Sequence, residues 1–254
     1  SNLCILVNDS SDIARESSDV ILLQKNLDVI INGIKEGRKV FTNTTKYIKS
    51  TLASNFGNFY AVALSTLFIK YLPMLPLQIL LLNLLSDFPM ISIAGDSVDQ
   101  EELQEPAKLD FKEFTVICTL LGIVSTCFDL ICFLVFNRGG EHVLQTGWFM
   151  GSVLTELVFI YSIRTKKVFF KAMPPKLFIV VLTSLTAIFS VAITFIPFGH
   201  NVFGFIRLPF KDIAIVFGLV AVYFITTEVV KDLYYRKRSM VAIRRYARYC
   251  TTSD

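Results

Sequence analysis

From about residue 50 onward the chain is a succession of six long apolar runs, at 51–72, 77–94, 114–136, 147–163, 177–198 and 213–234. Each approaches the ~20 apolar residues that a helix needs to cross a hydrocarbon core of about 30 Å. The residues before them read differently. Short β-branched runs at 3–7 and 20–23 predict two strands, and 11–17 predicts a helix between them, capped by Ser10 or Ser11. A longer helix is predicted over 26–50; its Lys35, Arg38, Lys39, Lys46 and Lys49 are too many charges for lipid. The expected fold is mainly α: a six-span transmembrane helical bundle with a small N-terminal cytoplasmic α/β remnant and a stalk helix. Its parts would be 1–25, the stalk 26–50, the spans 51–236 and a basic tail 237–254.

Composition agrees with the pattern. The chain is 53% hydrophobic, with a mean hydropathy of +0.57, too apolar for an ordinary soluble domain. The net charge is only +4, so its distribution matters more than its sum. The link 164–176 carries five basic residues and no acid, and the tail carries Arg236, Lys237, Arg238, Arg244, Arg245 and Arg248. The links after the first, third and fifth runs are poor in Lys and Arg. Both termini are therefore expected in the cytoplasm, in a plasma membrane or cell inner membrane. The link after the second run is acidic, which the charge rule tolerates because acids contribute little to it. A polybasic segment beside a span fits membrane lipid as a partner, and nucleic acid is not expected. The five Cys and two His have no metal-ligand spacing, and Cys118, Cys127 and Cys132 read as small apolar residues. There is no P-loop, GxSxG or HExxH pattern. The first residues lack a signal-peptide pattern and an initiating Met, from which a longer parent protein is expected.

The informative exceptions are polar residues inside the apolar runs. A carboxylate at mid-bilayer costs roughly 2.5–3.5 kcal/mol on the insertion scale, so it faces protein or a water-filled path. Asn83 and Asp87 stand four apart in the second run, on one helical face. Pro89 cannot donate to the carbonyl of Leu85, which leaves an oxygen free beside them. Asn83 and Asp87 thus form a candidate half-site for a hard cation. In the first run Asn55 and Asn58 are three apart and share a face, and Gly57 between them allows close helix approach. These amides offer either cation ligands or interhelical hydrogen bonds; their closeness to Asn83 and Asp87 favours ligands. Glu156 in the fourth run and Asp129 in the third are further candidates for the ion path, with a purely structural polar pair as the alternative. Glu228 is expected to pair with Lys231 near the membrane surface.

Several stretches resemble P-type cation-transporting ATPases. Asp12-Ile13-Ala14-Arg15-Glu16-Ser17-Ser18-Asp19-Val20 resembles the end of that family's phosphorylation domain. Gly33-Ile34-Lys35-Glu36-Gly37-Arg38-Lys39 resembles its stalk helix, and Asn83-Leu84-Leu85-Ser86-Asp87 its ion-site motif. Ser54-Asn55-Phe56-Gly57-Asn58, Phe128-Asp129, Gln145-Thr146-Gly147-Trp148-Phe149 and Arg164-Thr165-Lys166-Lys167 most resemble the magnesium-transporting group. Calcium pumps usually carry Glu where Asn58 stands, and an amide-rich site suits an ion that sheds water reluctantly. The tail beyond Arg238 departs from that group.

The resemblance implies a transported cation, Mg2+, moved by ATP hydrolysis in N-terminal ATPase domains joined in cis or trans. The family's DKTG, TGE and GDGxND motifs do not occur in this sequence, and Asp9 and Asp12 do not replace them. The chain by itself is not expected to hydrolyse ATP. A passive channel or a regulatory membrane subunit derived from a pump would share the same intramembrane residues.

Overall fold

The computed structural model describes residues 4–7, 11–23, 26, 28–104 and 110–251, with side chains to residue 240 except 239. The sequence expectations at Leu3, Asp9 and Ser10, and those for the side chains of Arg244, Arg245 and Arg248, lie outside the described residues.

At the amino-terminal end β1 (Ile5–Val7) pairs in parallel with β2 (Val20–Leu22), Ile5 opposite Val20, with α1 (Asp12–Glu16) in the connection. Ser11 is the N-cap of α1, but its side chain accepts no capping bond. A single helix, α2 (Asp28–Ser65), then runs for 38 residues, joining the expected stalk to the first apolar run without a break. It ends seven residues before the apolar run does. Thr66, Leu67 and Phe68 form a turn, and the chain re-enters at α3 (Pro76–Ile91), whose first residue is a proline suited to a helix start. Gln78 on α3 accepts the Leu75 backbone N–H at 2.9 Å.

A tight helical turn (Ser92–Gly95) and a short helix, α4 (Gln100–Leu103), follow. Next is α5 (Phe111–Phe136), where Asp110 caps the first turn by accepting N–H bonds from Lys112 at 3.0 Å and Glu113 at 3.3 Å. Gly140, at φ 93°, turns the chain into α6 (Glu141–Ile163). The expected fifth run is two helices, α7 (Leu177–Ala192) and α8 (Pro197–Phe203), bent by 78°. Pro197 starts the second of these, and Gly199 sits so close to the Ile193 carbonyl that a Cβ there would collide with its oxygen. The last helix, α9 (Phe210–Thr251), extends well past its apolar part.

Among the described residues four helices are long and apolar enough to cross a membrane: α3 with its turn, α5, α6 and α9 as far as Arg238. Counting bent α7–α8 as one span gives five. The first run does not reach that measure, because its helix ends at Ser65 and Ser54, Asn55 and Asn58 dilute its apolar residues. The bundle is built around α6, 83% of whose apolar window is buried, against 28% for that of α9. Outward-facing Phe88, Leu134, Leu185 and Ile225 are exposed apolar residues, as a lipid-facing surface requires.

Candidate cation site in the bundle

The polar residues of the first run are positioned by a close helix contact. Gly57 on α2 lies against α5 so tightly that a Cβ would meet Ser125 Cβ at 2.7 Å. Across the same contact Gly122 faces the Ala53 carbonyl, and Thr126 Oγ1 donates to the carbonyls of Gly57 at 3.2 Å and Gly122 at 2.9 Å. Small residues thus fix α2 on α5, as in other membrane helix pairs. With Gly57 pinned, Asn55 and Asn58 turn toward α3 and α6.

Asn55, Asn58 and Asn83 line one cavity of about 260 Å3, together with Leu82, Met74 and Trp148. Asn58 Nδ2 donates to Glu156 Oε1 at 2.7 Å, across 98 residues of sequence. Glu156 is buried, with Ser54 and Ser86 beside it and Asp87 near enough to couple to its charge. Of the expected group Asn55, Asn58, Asn83 and Asp87 with Glu156 in reach, the structure places the three amides around one cavity and joins Glu156 to it through Asn58. Asp87 stands at its margin: it is exposed and lines no part of the cavity. Pro89 is buried on α3's inner side with Ser86, so the Leu85 oxygen that it leaves unbonded belongs to that side rather than to Asp87's.

Asp129 takes a different position. It lies on α5 behind the cavity wall, where Trp148 Nε1 donates to its Oδ1 at 2.8 Å. Its Oδ2 and the hydroxyl of Ser152 beside it have no hydrogen-bond partner among the described residues. Asp129 does not line the cavity; the Trp148 indole stands between. Sequence reasoning quoted Ser54, Ser86 and Trp148 only as members of family motifs and gave none of them a place at the cavity. A signal existed in Ser54 and Ser86, each a helical turn or less from a polar residue already singled out.

The edge of this unit that carries the links after α3 and α6 is held by charge. Asp96, after α3, forms a buried pair with Arg164 at the end of α6, Nε to Oδ2 at 2.6 Å, and accepts the Lys176 N–H at 3.1 Å. Asn43 on α2 donates to the Asp96 carbonyl at 2.9 Å, and Lys46 reaches Glu102 at 2.5 Å. Asp99 accepts from Thr165 Oγ1 at 2.7 Å and from the Met173 N–H at 3.0 Å. Burial raises the pKa of the Asp99 carboxyl. The bonds from Met173 and Thr165 and the charges of Lys46 and Lys167 outweigh that, and hold it below its ordinary value. The acidic link that the charge rule tolerated is thus neutralised by α2 and by the basic link 164–176. Glu228 and Lys231 pair as expected, at 2.6 Å, but buried rather than at the surface: Lys231 Nζ also donates to the Ser162 carbonyl at 2.8 Å, and Glu228 accepts the Phe169 N–H at 2.8 Å.

Residues 71–233 match the family described as "Cation transporting ATPase, C-terminus". The chain belongs to this family. The cation-ATPase match runs from before α3 into α9 as far as residue 233, and leaves out α2. The chain is also 34% identical over 240 residues to the magnesium-transporting ATPase, P-type 1, of Escherichia coli (strain K12), covering 92% of this chain and 27% of that protein. It is 33% identical over 240 residues to the protein of that name from Salmonella typhimurium (strain 14028s / SGSC 2262), covering 92% of this chain and 26% of the relative. A calcium-transporting ATPase of Bacillus subtilis (strain 168) is 25% identical over 224 residues, 84% of this chain and 25% of the relative. The chain therefore spans about a quarter of the length of these curated relatives.

Proposed function

We propose that this chain is the transport region of a magnesium pump, driven by ATP hydrolysis in the part of its relatives that it does not span. The observation that carries this reading is the bond from Asn58 to the buried Glu156 beside a cavity lined by three amides. Among the described residues no Lys, Arg or His pairs with Glu156, so a cation or a proton must neutralise it. Amide oxygens and few carboxylates suit Mg2+, which keeps part of its water shell.

On this reading α2 crosses the membrane with its second half, giving six crossings and cytoplasmic termini. The exposed face bearing Asn55, Asn83 and Asp87 is where a helix from the amino-terminal region of the relatives completes the site. Phosphorylation in that region would move α2, and Asn43, Lys46 and Arg38 would carry the movement into the link after α3. Arg38 Nη1 donates to the Leu103 carbonyl at 2.9 Å. The two cation-bearing helices then shift against each other, which is coupling through one rigid element.

The test is magnesium-stimulated phosphate release by a reconstituted pump joining this chain to the amino-terminal region of its relatives. Asp87→Asn should abolish it while membrane insertion stays intact. Retained transport with only a lower melting temperature would make Asp87 a packing residue and reject the site. The chain alone should release no phosphate from ATP; vanadate-sensitive release would contradict that. Cysteine labels at 137–141 should react from outside, and labelling from the cytoplasm would overturn the topology.

A further inference from the structure

A second feature shares no lining residue with the cation cavity. Between the start of α5 and the last described side chains of α9 lies a groove of about 940 Å3. Its walls are Val116 and Leu120 from α5 with Val230 and Leu233 from α9, and its mouth carries Lys112 and Lys237. The walls run along two membrane-crossing helices, so they meet acyl chains. The mouth falls where those helices leave the apolar zone.

The charges at the mouth are unevenly spent. Arg238 binds both nearby acids, Asp110 at 2.9 Å and Glu113 at 2.6 Å, and Lys49 adds a longer contact to Glu113 at 3.5 Å. Asp110 also caps α5 through Lys112 and Glu113 N–H bonds. Arg236 is taken by Asp232 at 2.8 Å. Lys112 and Lys237 are left without an acidic partner among the described residues, above an apolar slot. The two acids do not favour a cationic headgroup, because Arg238 and Lys49 together balance their charge.

We infer that this groove binds an anionic phospholipid of the cytoplasmic leaflet, its phosphate between Lys112 and Lys237 and one acyl chain along Val116, Leu120, Val230 and Leu233. The leaflet rests on the topology proposed above; the lysine preference does not depend on the transport reading. Each lysine near an anionic headgroup contributes about fivefold in affinity, so the pair gives roughly twenty-five-fold selectivity over a zwitterionic lipid.

The full chain in nanodiscs tests this, with a reporter introduced as Leu233→Trp. The native Trp148, 2% exposed, serves as a reference that lipid does not reach. Brominated phosphatidylglycerol, titrated into phosphatidylcholine, should quench the reporter at a mole fraction about twenty-five-fold lower than it quenches a control, Val181→Trp, on the exposed face of α7. Lys112→Gln with Lys237→Gln should bring the two positions together, and Lys112→Arg with Lys237→Arg should keep them apart. Equal quenching at both positions from the outset would mean ordinary bulk lipid and overturn the site. A preference that survives the glutamine pair would also overturn it, as would a co-purifying polypeptide that shields the reporter. Unchanged Trp148 emission in every variant excludes unfolding as the cause.

Discussion

At the end where α3 and α6 finish, the bundle pairs its acids: Asp96 with Arg164, Glu102 with Lys46, Glu113 with Arg238. In its middle, Glu156, Asp129 and Asp87 have no basic partner among the described residues, and amides, serines and an indole take the place of bases. Both regions hold buried carboxylates within a few helical turns of each other. The difference is whether the protein supplies its own counter-charge. A fixed pair holds elements together; an unpaired carboxylate in lipid waits on something mobile. On the function proposed above, that contrast separates residues that hold the fold from residues that transport would use.

The comparison makes opposite predictions for the two regions. Glu156→Gln should bring the turnover of the reconstituted pump to background and leave the melting temperature unchanged or raised, since it removes a charge with no fixed partner. A large loss of stability with turnover retained would place Glu156 among the structural residues. Arg164→Met should do the reverse, costing about 3–5 kcal/mol by leaving Asp96 buried and unpaired. Adding Asp96→Leu should recover part of this, though not all, because Asp96 also accepts the Lys176 N–H. Denaturant melts of both variants decide the matter, and additive losses would contradict the pairing. Gly57→Ala should cost about 1–3 kcal/mol, since its Cβ would press on Ser125, and Ser125→Gly on that background should relieve it.

The smallest expected effect is on acid stability. The Asp99 carboxyl titrates below its ordinary value of 3.8, so its stabilising contribution is complete above that pH and drains away as pH falls through the lower folded value. Asp99→Asn should therefore lower stability at neutral pH and flatten the acid limb of the melting curve. An unchanged acid limb would mean that Asp99 titrates alike folded and unfolded.

Much of this was legible in periodicity. The ends of the second and third apolar runs fall within a few residues of α3 and α5, because continuous apolar sequence of that length has few folded alternatives in lipid. The spacing of Asn55 and Asn58, and of Asn83 with its neighbours, was enough to name the cavity's amides but none of its apolar lining. What sequence could not give was partnership between distant residues. Arg164 was counted only as one of the basic residues of the link 164–176, yet it is buried against Asp96, 68 residues away. For Asp129 the sequence left the ion path and a structural polar pair both open, and the structure places it behind Trp148, which donates to it. The bend between α7 and α8 was hidden because hydropathy averages over Pro197, which starts the second helix.

The unbroken α2 has a mechanical consequence. Its contact with α5 at Gly57 is a fulcrum one residue from Asn58, about 1.5 Å along the axis, whereas Asp28 lies 29 residues away, about 43 Å. Tilting such a rod is wasteful: 5 Å at the far end moves Asn58 by only about 0.2 Å. Turning it is not. A side-chain tip some 5–6 Å from the axis sweeps about 2 Å for a twist of 20°. A signal arriving along α2 is therefore expected as torque, with Asn58 swung toward or away from Glu156. Spin labels on α2 and α5 that reported tilt with an unchanged azimuth between pump states would refute this.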